Sequence, residues 1–351
     1  MHSATLLLAL GSGLLASAWP LPTTFPLEDG FPNPTPDQLA QIEQQAFGTL
    51  SNSTPPANIT SDSLDSFRLI AFNEIFETLF FDQLLRNMTD GIDGYEIPDD
   101  WDSEFLIRQI NATVAQEQLH ALTANGALQH FGADPIQPCT KYNFPVSSLY
   151  EAIDFAATFT SVVLGTLQDV IVTFAQTPEQ AGFTGAIASV IGQEGEQEGW
   201  YRVLLGKIPN ELPFLTRSTR ELAFSILQNF VDPASCPNIG DIQLKTLTPL
   251  TLLNPPNATD STIYLSVATT NLNSTAPLNA VYINQQNVPV VVPTTNSTQD
   301  DQTVFAAEFP YVAHELNGLT LILLTDSEGP FASAEDATAA SNIGPAIAII
   351  N

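Results

Sequence analysis

The chain has 351 residues, of which 44% are hydrophobic, and its 38 acidic side chains outnumber 9 basic ones for a formal net charge of -29. This charge excludes nucleic-acid binding, which depends on Lys and Arg to neutralise phosphates, and it opposes adsorption to anionic membranes. The hydrophobic content is enough for a sizeable core, and the length predicts about two domains.

The N-terminal 18 residues have the pattern of a secretory signal peptide. Leucine-rich runs are followed by Ala16-Ser17-Ala18, which is typical of a cleavage site. We therefore expect a secreted protein, located extracellularly or in the cell wall, with no apolar segment long enough to span a membrane. Residues 19–60 are rich in Pro, Ser and Thr, which indicates a tethered or partly disordered arm.

Residues 61–236 show the periodicity of helices. Apolar residues recur at spacings of three and four, which predicts helices over 63–86, 102–130, 147–176 and 178–206, and a shorter one over 216–230. Two helical hairpins joined by a longer connection predict a four-helix bundle.

Residues 240–351 carry short β-like runs separated by Asn, Pro, Thr and Gly turns. These runs lie at 263–267, 281–283, 288–292, 304–305 and 319–324. Their spacing predicts a small β-sandwich, so the fold class is α+β with two domains.

Two further features agree with export. The only cysteines are Cys139 and Cys236, which we expect to form one disulfide in an oxidising compartment. Seven Asn-x-Ser/Thr sequons predict N-glycosylation. They begin at Asn52, Asn58, Asn87, Asn111, Asn257, Asn273 and Asn296.

Each long helix interrupts its apolar stripe near the middle with polar residues. Glu117 and His120 are one turn apart on a single helical face, and Glu74 and Glu194 are in the middle of the first and fourth helices. Antiparallel packing brings the middles of neighbouring helices together, so the sequence predicts a buried polar cluster that also includes Gln168 and Gln197. A divalent cation would offset the cost of burying these carboxylates. The alternative is a network in which the carboxylates pair with Gln168 and Gln197.

Four segments resemble the ferritin-like domain of fungal secreted proteins linked to late sexual development and stress response. They are Phe72 to Arg86, Glu117 to His120, Leu167 to Val170, and Glu194 to Arg202. The resemblance covers about 61–209 and implies metal ligation by Glu74, Glu117, His120 and Glu194. In this pattern Gln168 replaces a carboxylate and Gln197 replaces a second histidine, while Glu77 and Glu198 are near the same faces and could compensate.

Three functions remain open on this basis. The leading hypothesis is a secreted, glycosylated ferritin-like protein with a degenerate site that is non-catalytic or binds metal weakly. The metal would be iron or another divalent ion, or absent. The second is an active di-iron or iron-oxidising metalloprotein, and the third is a cell-wall or adhesive protein acting through its β domain. A Gly-x-Ser-x-Gly hydrolase elbow is absent from the sequence, and no catalytic residue, substrate or oligomeric state is assigned.

Overall fold

The computed structural model describes residues 24–272 and 278–351. The predicted signal peptide 1–18 and the sequon at Asn273 are outside the described residues. The described chain is helical in its first part and β-rich in its last 100 or so residues, with α-helices in both parts. The α-helices are α1 Pro36–Gln45, α2 Ser61–Thr89, α3 Ser103–His130, α4 Leu149–Ala175, α5 Gly182–Leu204, α6 Arg220–Leu227, α7 Tyr311–His314 and α8 Ala334–Ala340.

The four long helices begin and end close to the predicted positions. Thr60, Asp102 and Ser148 cap α2, α3 and α4, because each side chain accepts a hydrogen bond from a backbone N–H in the first turn. The last long helix, α5, begins four residues later than the predicted 178, since Pro178–Gln180 form a separate 3-10 turn.

The long helices pack around a phenylalanine-rich core. α2 lies along α3, α4 lies along α5, and α2 also contacts α4. Phe76 and Phe80 of α2 both contact Phe155 and Phe159 of α4, with ring centroids 5.3–6.5 Å apart. Such edge-to-face and tilted pairs add to the free energy gained from burial. The helical part of the predicted α+β fold is therefore present.

Helix α4 has the length and mean hydropathy, 1.5 over its most apolar window, that a membrane span requires, but 78% of that window is buried within the protein. Burial of this kind is typical of the central helix of a folded core, so α4 gives no clear indication of a membrane span.

Part of the predicted arm 19–60 is ordered on the helical region. Thr35 and the Gln38 side chain form a capping box at the start of α1. Ile42 of α1 and Ala46, its C-cap residue, pack against Ala115 and Leu119 of α3 in a small hydrophobic cluster. The sequence pattern did not predict α1, because the segment is polar and the helix buries only a narrow apolar stripe.

The C-terminal region forms one seven-stranded antiparallel sheet in the order β1-β2-β5-β4-β3-β6-β7. The strands are β1 Thr251–Leu252, β2 Ser261–Ala268, β3 Asn279–Asn284, β4 Val290–Gln299, β5 Gln302–Phe309, β6 Gly318–Thr325 and β7 Ile343–Ile350. The sheet curls until Thr248, just before β1, pairs with Ile343 of β7. The predicted sandwich is therefore corrected to a nearly closed, barrel-like sheet, because β4 pairs with both β3 and β5 and so joins the two expected layers.

The sheet and the helices share one hydrophobic cluster. Alternate residues of β6 face opposite sides, and all eight are buried. Ile322 and Leu324 point into the barrel-like sheet, whereas Leu321 and Leu323 belong to the same cluster as the helical core. β7 and α8, which the sequence pattern did not predict, complete this contact.

Cys139 and Cys236 form the predicted disulfide, which joins the α3–α4 connection to the segment after α6 across 97 residues of sequence. The disulfide is consistent with an extracellular protein.

The described sequons differ in accessibility. Asn52, Asn58 and Asn257 are exposed, Asn111 and Asn296 are partly exposed, and Asn87 is 4% exposed. A glycan at Asn87 therefore has no room in the folded chain, because α2 buries this face.

Candidate metal site

Three helices bring four potential metal ligands together. Glu74 comes from the middle of α2, Glu117 and His120 from α3, and Glu194 from α5. One ligand atom from each residue lies within 4.8 Å of the ligand atoms of the other three. The convergence predicted for these four residues is present.

His120 is at the centre of the group. Its Nδ1 atom is 2.9 Å from Glu117 Oε2, 3.5 Å from Glu74 Oε2 and 3.7 Å from Glu194 Oε1. The i,i+3 spacing of Glu117 and His120 places both on one face of α3 and produces the shortest of these contacts. His120 retains 17% exposure of its side chain, and the three carboxylates retain 1% or less, so the imidazole is the member nearest to solvent.

Burial shifts the protonation of the cluster. It raises the pKa of Glu74 to about 7, with a smaller upward contribution from Glu117 and an opposing one from His120. Burial and the charges of Glu74 and Glu117 also raise the pKa of Glu194 well above its ordinary value. Burial lowers the pKa of His120, but Glu117 and Glu74 outweigh it, so this pKa stands well above its ordinary value.

Several carboxylate oxygens of the cluster lack a hydrogen-bond partner among the described residues. They are Glu74 Oε2 and both oxygens of Glu194. Buried polar atoms are normally satisfied, and unpaired buried carboxylates are costly. A hard divalent cation accepts carboxylate oxygens and imidazole nitrogen, so the donor set of this site fits such an ion.

Gln197 lies beside the cluster and contacts one of its carboxylates directly. Its Nε2 atom donates to Glu117 Oε1 at 2.8 Å and to Gln116 Oε1 at 3.2 Å. Gln193, one turn earlier on α5, also donates to Gln116 Oε1, at 3.1 Å. Gln116, Gln193 and Gln197 thus form a hydrogen-bonded bridge that fixes the orientation of Glu117 from outside the ligand group. The i,i+4 spacing of Gln193 and Gln197 on α5 is the sequence signal that could have predicted this bridge.

Tyr201 is fully buried near the same carboxylates. Its hydroxyl is 3.5 Å from Gln197 Oε1. Burial, together with the charges of Glu117, Glu77 and Glu194, raises its pKa well above the ordinary value. The phenol therefore stays protonated, and its ring stacks on Phe81 as part of the core.

Glu77 is a fourth buried carboxyl group close to the cluster. It is one turn from Glu74 on α2, is 1% exposed and accepts a hydrogen bond from Asn73 Nδ2 at 2.7 Å. Burial and the charges of Glu74, Glu117 and Glu194 raise its pKa well above the ordinary value. Glu77 is outside the group of four ligands but within electrostatic range of three of them.

Gln168 does not join the cluster, which corrects the prediction for the third long helix. Its Oε1 atom accepts a hydrogen bond from Gln286 Nε2, in the turn between β3 and β4, at 2.7 Å. One turn earlier, a Cβ at Gly165 would collide with the carbonyl oxygen of Thr216. This face of α4 is therefore covered by the segment before α6 and by the sheet, and it points away from Glu74.

Glu198 also points elsewhere. Its Oε1 atom accepts a hydrogen bond from the Ser161 hydroxyl at 2.8 Å, and its charge is opposed by Arg202 and Lys207. It belongs to a separate polar network at the end of α5 and is not a candidate ligand.

No protein-family model matches this chain, and a comparison with curated proteins returns no match. Its function is therefore inferred from its own residues.

Proposed function

We propose that the protein binds one divalent cation between α2, α3 and α5, using Glu74, Glu117, His120 and Glu194. The single observation that carries this proposal is the convergence of three buried carboxylates and one imidazole within 4.8 Å. The competing role, a purely hydrogen-bonded network, leaves three carboxylate oxygens without a hydrogen bond among the described residues, and two of them have only the longer contacts to His120. A cation bound by one oxygen of each carboxylate would reduce this deficit.

The ligand chemistry favours iron, manganese or zinc over calcium, since an imidazole nitrogen takes part and calcium prefers oxygen ligands only. The bound ion would supply Lewis acidity or redox capacity. The residues of the chain hold the ligands in place: Gln197 orients Glu117, and the surrounding core excludes water. This arrangement supports a metal-binding role.

The proposal extends to the class and location of the protein. The order of helices and the Glu117–His120 pair support a ferritin-like domain similar to that of the fungal secreted proteins, with a degenerate ligand set. The disulfide Cys139–Cys236, the exposed sequons and the N-terminal leader pattern support export and glycosylation. A role in sexual development or stress response follows only from the resemblance.

A second candidate function has one observation in its favour. Glu77 brings a fourth buried carboxyl group to the site, and four carboxylates would balance the charge of two divalent ions. In that case Glu77 and Gln197 would complete a dinuclear centre and the oxidative chemistry of such centres would be open to the protein.

Metal analysis of the full chain decides between these candidates. The protein is purified without chelators or affinity metals and titrated with Fe²⁺, Mn²⁺ and Zn²⁺ in an isothermal calorimeter. One equivalent bound, lost in Glu194→Gln and kept in Glu196→Gln on the exposed side of α5, supports the mononuclear site. Two equivalents support the dinuclear centre, and no binding contradicts both.

A further inference from the structure

A groove on the surface of the helical region separates the end of α1 from the first half of α3. Its volume is about 410 Å³, which is within the range of pockets that accept small ligands. Three glutamines and an aromatic ring line one side, and α3 supplies a cation and an asparagine on the other. These residues are Gln41, Gln44, Gln45, Phe47, Arg108 and Asn111.

Phe47 has an unusual conformation for so large a residue. α1 ends in a Schellman motif, in which Gly48 N donates to Glu43 O and Phe47 N donates to Gln44 O. The motif places Phe47 in the left-handed region at φ 56°, a position that normally selects Gly or Asn because a side chain costs free energy there. The ring is nonetheless 78% exposed. A strained, exposed aromatic ring beside a groove points to a binding role for that ring.

Asn111 stands at the opposite wall of the groove and begins the sequon Asn111-Ala112-Thr113. Its side chain is partly exposed, whereas Thr113 is fully buried. Addition of a glycan to the chain before folding, when Thr113 is still accessible, would leave the sugar at the mouth of this groove.

We propose that the groove holds the first sugars of an N-linked glycan carried by Asn111. The modification forms a bond between Asn111 Nδ2 and C1 of the sugar, breaks the bond from C1 to the pyrophosphate of a lipid-linked donor, and releases one amide proton. This inference rests on the exported state in the proposed function and is independent of metal binding.

The chemistry of the groove matches a hexosamine. One face of a pyranose ring is apolar and packs on an aromatic ring, here Phe47. The side-chain amides of Gln41, Gln44 and Gln45 can both donate to and accept from hydroxyl and acetamido groups, and Arg108 adds a donor. A glycan fixed to Asn111 reaches these partners at high effective concentration.

A glycan bound in this way would fasten the end of α1 to α3. This helix is held to α3 by the small cluster around Ile42 and by the hydrogen bond from Gln116 Nε2 to Ala46 O. A glycan that spans Asn111 and Phe47 adds a second attachment at the end of α1.

The test is a double-mutant cycle on the full chain secreted from a eukaryotic host, with Phe47→Gly and Asn111→Gln combined. Without the glycan, Phe47→Gly removes the left-handed strain and should raise the Tm by about 2 °C. With the glycan, the same substitution removes the stacking partner and should lower the Tm. Asn257→Gln, at an exposed sequon away from the groove, is the matched control and should leave the effect of Phe47→Gly unchanged.

Two results would overturn the inference. The first is an equal effect of Phe47→Gly with and without Asn111→Gln. The second is glycopeptide mapping that finds Asn111 unmodified while Asn257 carries a glycan. If no sequon is modified, this inference fails, while the metal titration still decides the binding function.

Discussion

Two buried acidic regions lie one helical turn apart along α5, and they differ in how the chain compensates their charge. In the first, Glu194 faces Glu74, Glu117 and His120. In the second, Glu198 lies near Arg202 and Lys207, and Arg202 pairs with the buried Glu211 at 3.4 Å. The second region contains its own cations, whereas the first has one imidazole for three carboxylates. The difference indicates that the second region is structural, and it is consistent with the proposal that the first binds a cation from outside the chain.

The largest expected effect concerns the second region, which contains its own cations around Glu198 and Glu211. Arg202 also donates to Ile208 O and to Asn351 Oδ1, both at 2.7 Å. Arg202→Met leaves the Glu211 carboxylate buried without a partner, so we expect the free energy of unfolding to fall by about 3–5 kcal/mol in urea denaturation. Lys141→Met, which breaks an exposed pair with Asp232, should change the free energy of unfolding very little. Equal losses in the two variants would contradict the distinction between buried and exposed pairs.

The next effect is a pH dependence of the metal-free protein. Burial raises the pKa of both Glu74 and Glu211 to about 7, from an ordinary value of 4.5. A raised carboxyl pKa means that the folded state holds the proton more tightly than the unfolded state. The stabilisation is complete below pH 4.5 and is lost as the pH rises through 7, by about 3 kcal/mol for each group.

The raised pKa of His120 acts in the same direction, since its protonated form is favoured in the folded state. Denaturation measured between pH 5 and pH 8 should therefore show falling stability, and Glu74→Gln or Glu211→Gln should each reduce the slope. Saturating metal should oppose the trend, because protons compete with the ion for Glu74. A rise in the stability of metal-free protein over this pH range would refute the prediction.

A smaller effect separates the glutamine beside the cluster from the glutamine outside it. Gln197 donates to Glu117, so Gln197→His places an imidazole next to the ligand group and should raise the affinity for Fe²⁺ or Zn²⁺ about tenfold. Gln168 contacts Gln286 of the sheet, so Gln168→Glu should leave the affinity unchanged. Calorimetry on both variants tests this. Enhancement by Gln168→Glu would mean that α4 presents a different face to the cluster.

The smallest effect concerns the bridge that orients Glu117. Gln116 accepts hydrogen bonds from both Gln193 and Gln197. Gln116→Leu keeps the side-chain volume similar and removes the acceptor, so metal affinity should fall by a few fold. It also removes the hydrogen bond from Gln116 to Ala46 O, so a small decrease in the Tm should accompany the loss of affinity. Gln109→Leu, two turns earlier on α3, is the control. A complete loss of binding in Gln116→Leu would indicate that the bridge itself is part of the ligand set.

The sequence predicts those parts of the site and fold that depend on local spacing. Glu117 and His120 are three residues apart on a long amphipathic stretch, and Glu74 and Glu194 interrupt apolar stripes at the middle of theirs. Gln168 also interrupts an apolar stripe at mid-helix, but it does not join the cluster. Its position depends on which face of α4 the segment 215–218 covers. That contact is between residues about 50 apart in sequence, and no local pattern reports it.

The same reason explains the errors in the sheet. β7 has a continuous apolar run without alternation, since the interior of the barrel-like sheet covers one of its faces and the helical core covers the other. Nothing local distinguishes it from an apolar tail. Likewise, closure of the sheet depends on pairing between Thr248 and Ile343, which are far apart along the chain.

The most direct test of the central claim is the thermal stability of the wild-type protein and Glu194→Gln at pH 7.5, each with and without saturating Mn²⁺. Without metal, Glu194→Gln should have the higher Tm, because the wild type must either bury this charge or take up a proton at a pH above the ordinary carboxyl pKa. With Mn²⁺, the wild type should gain several degrees, and Glu194→Gln should gain little. A destabilised Glu194→Gln variant together with no response of the wild type to Mn²⁺ would show that the cluster is a structural hydrogen-bonded network and that it binds no cation.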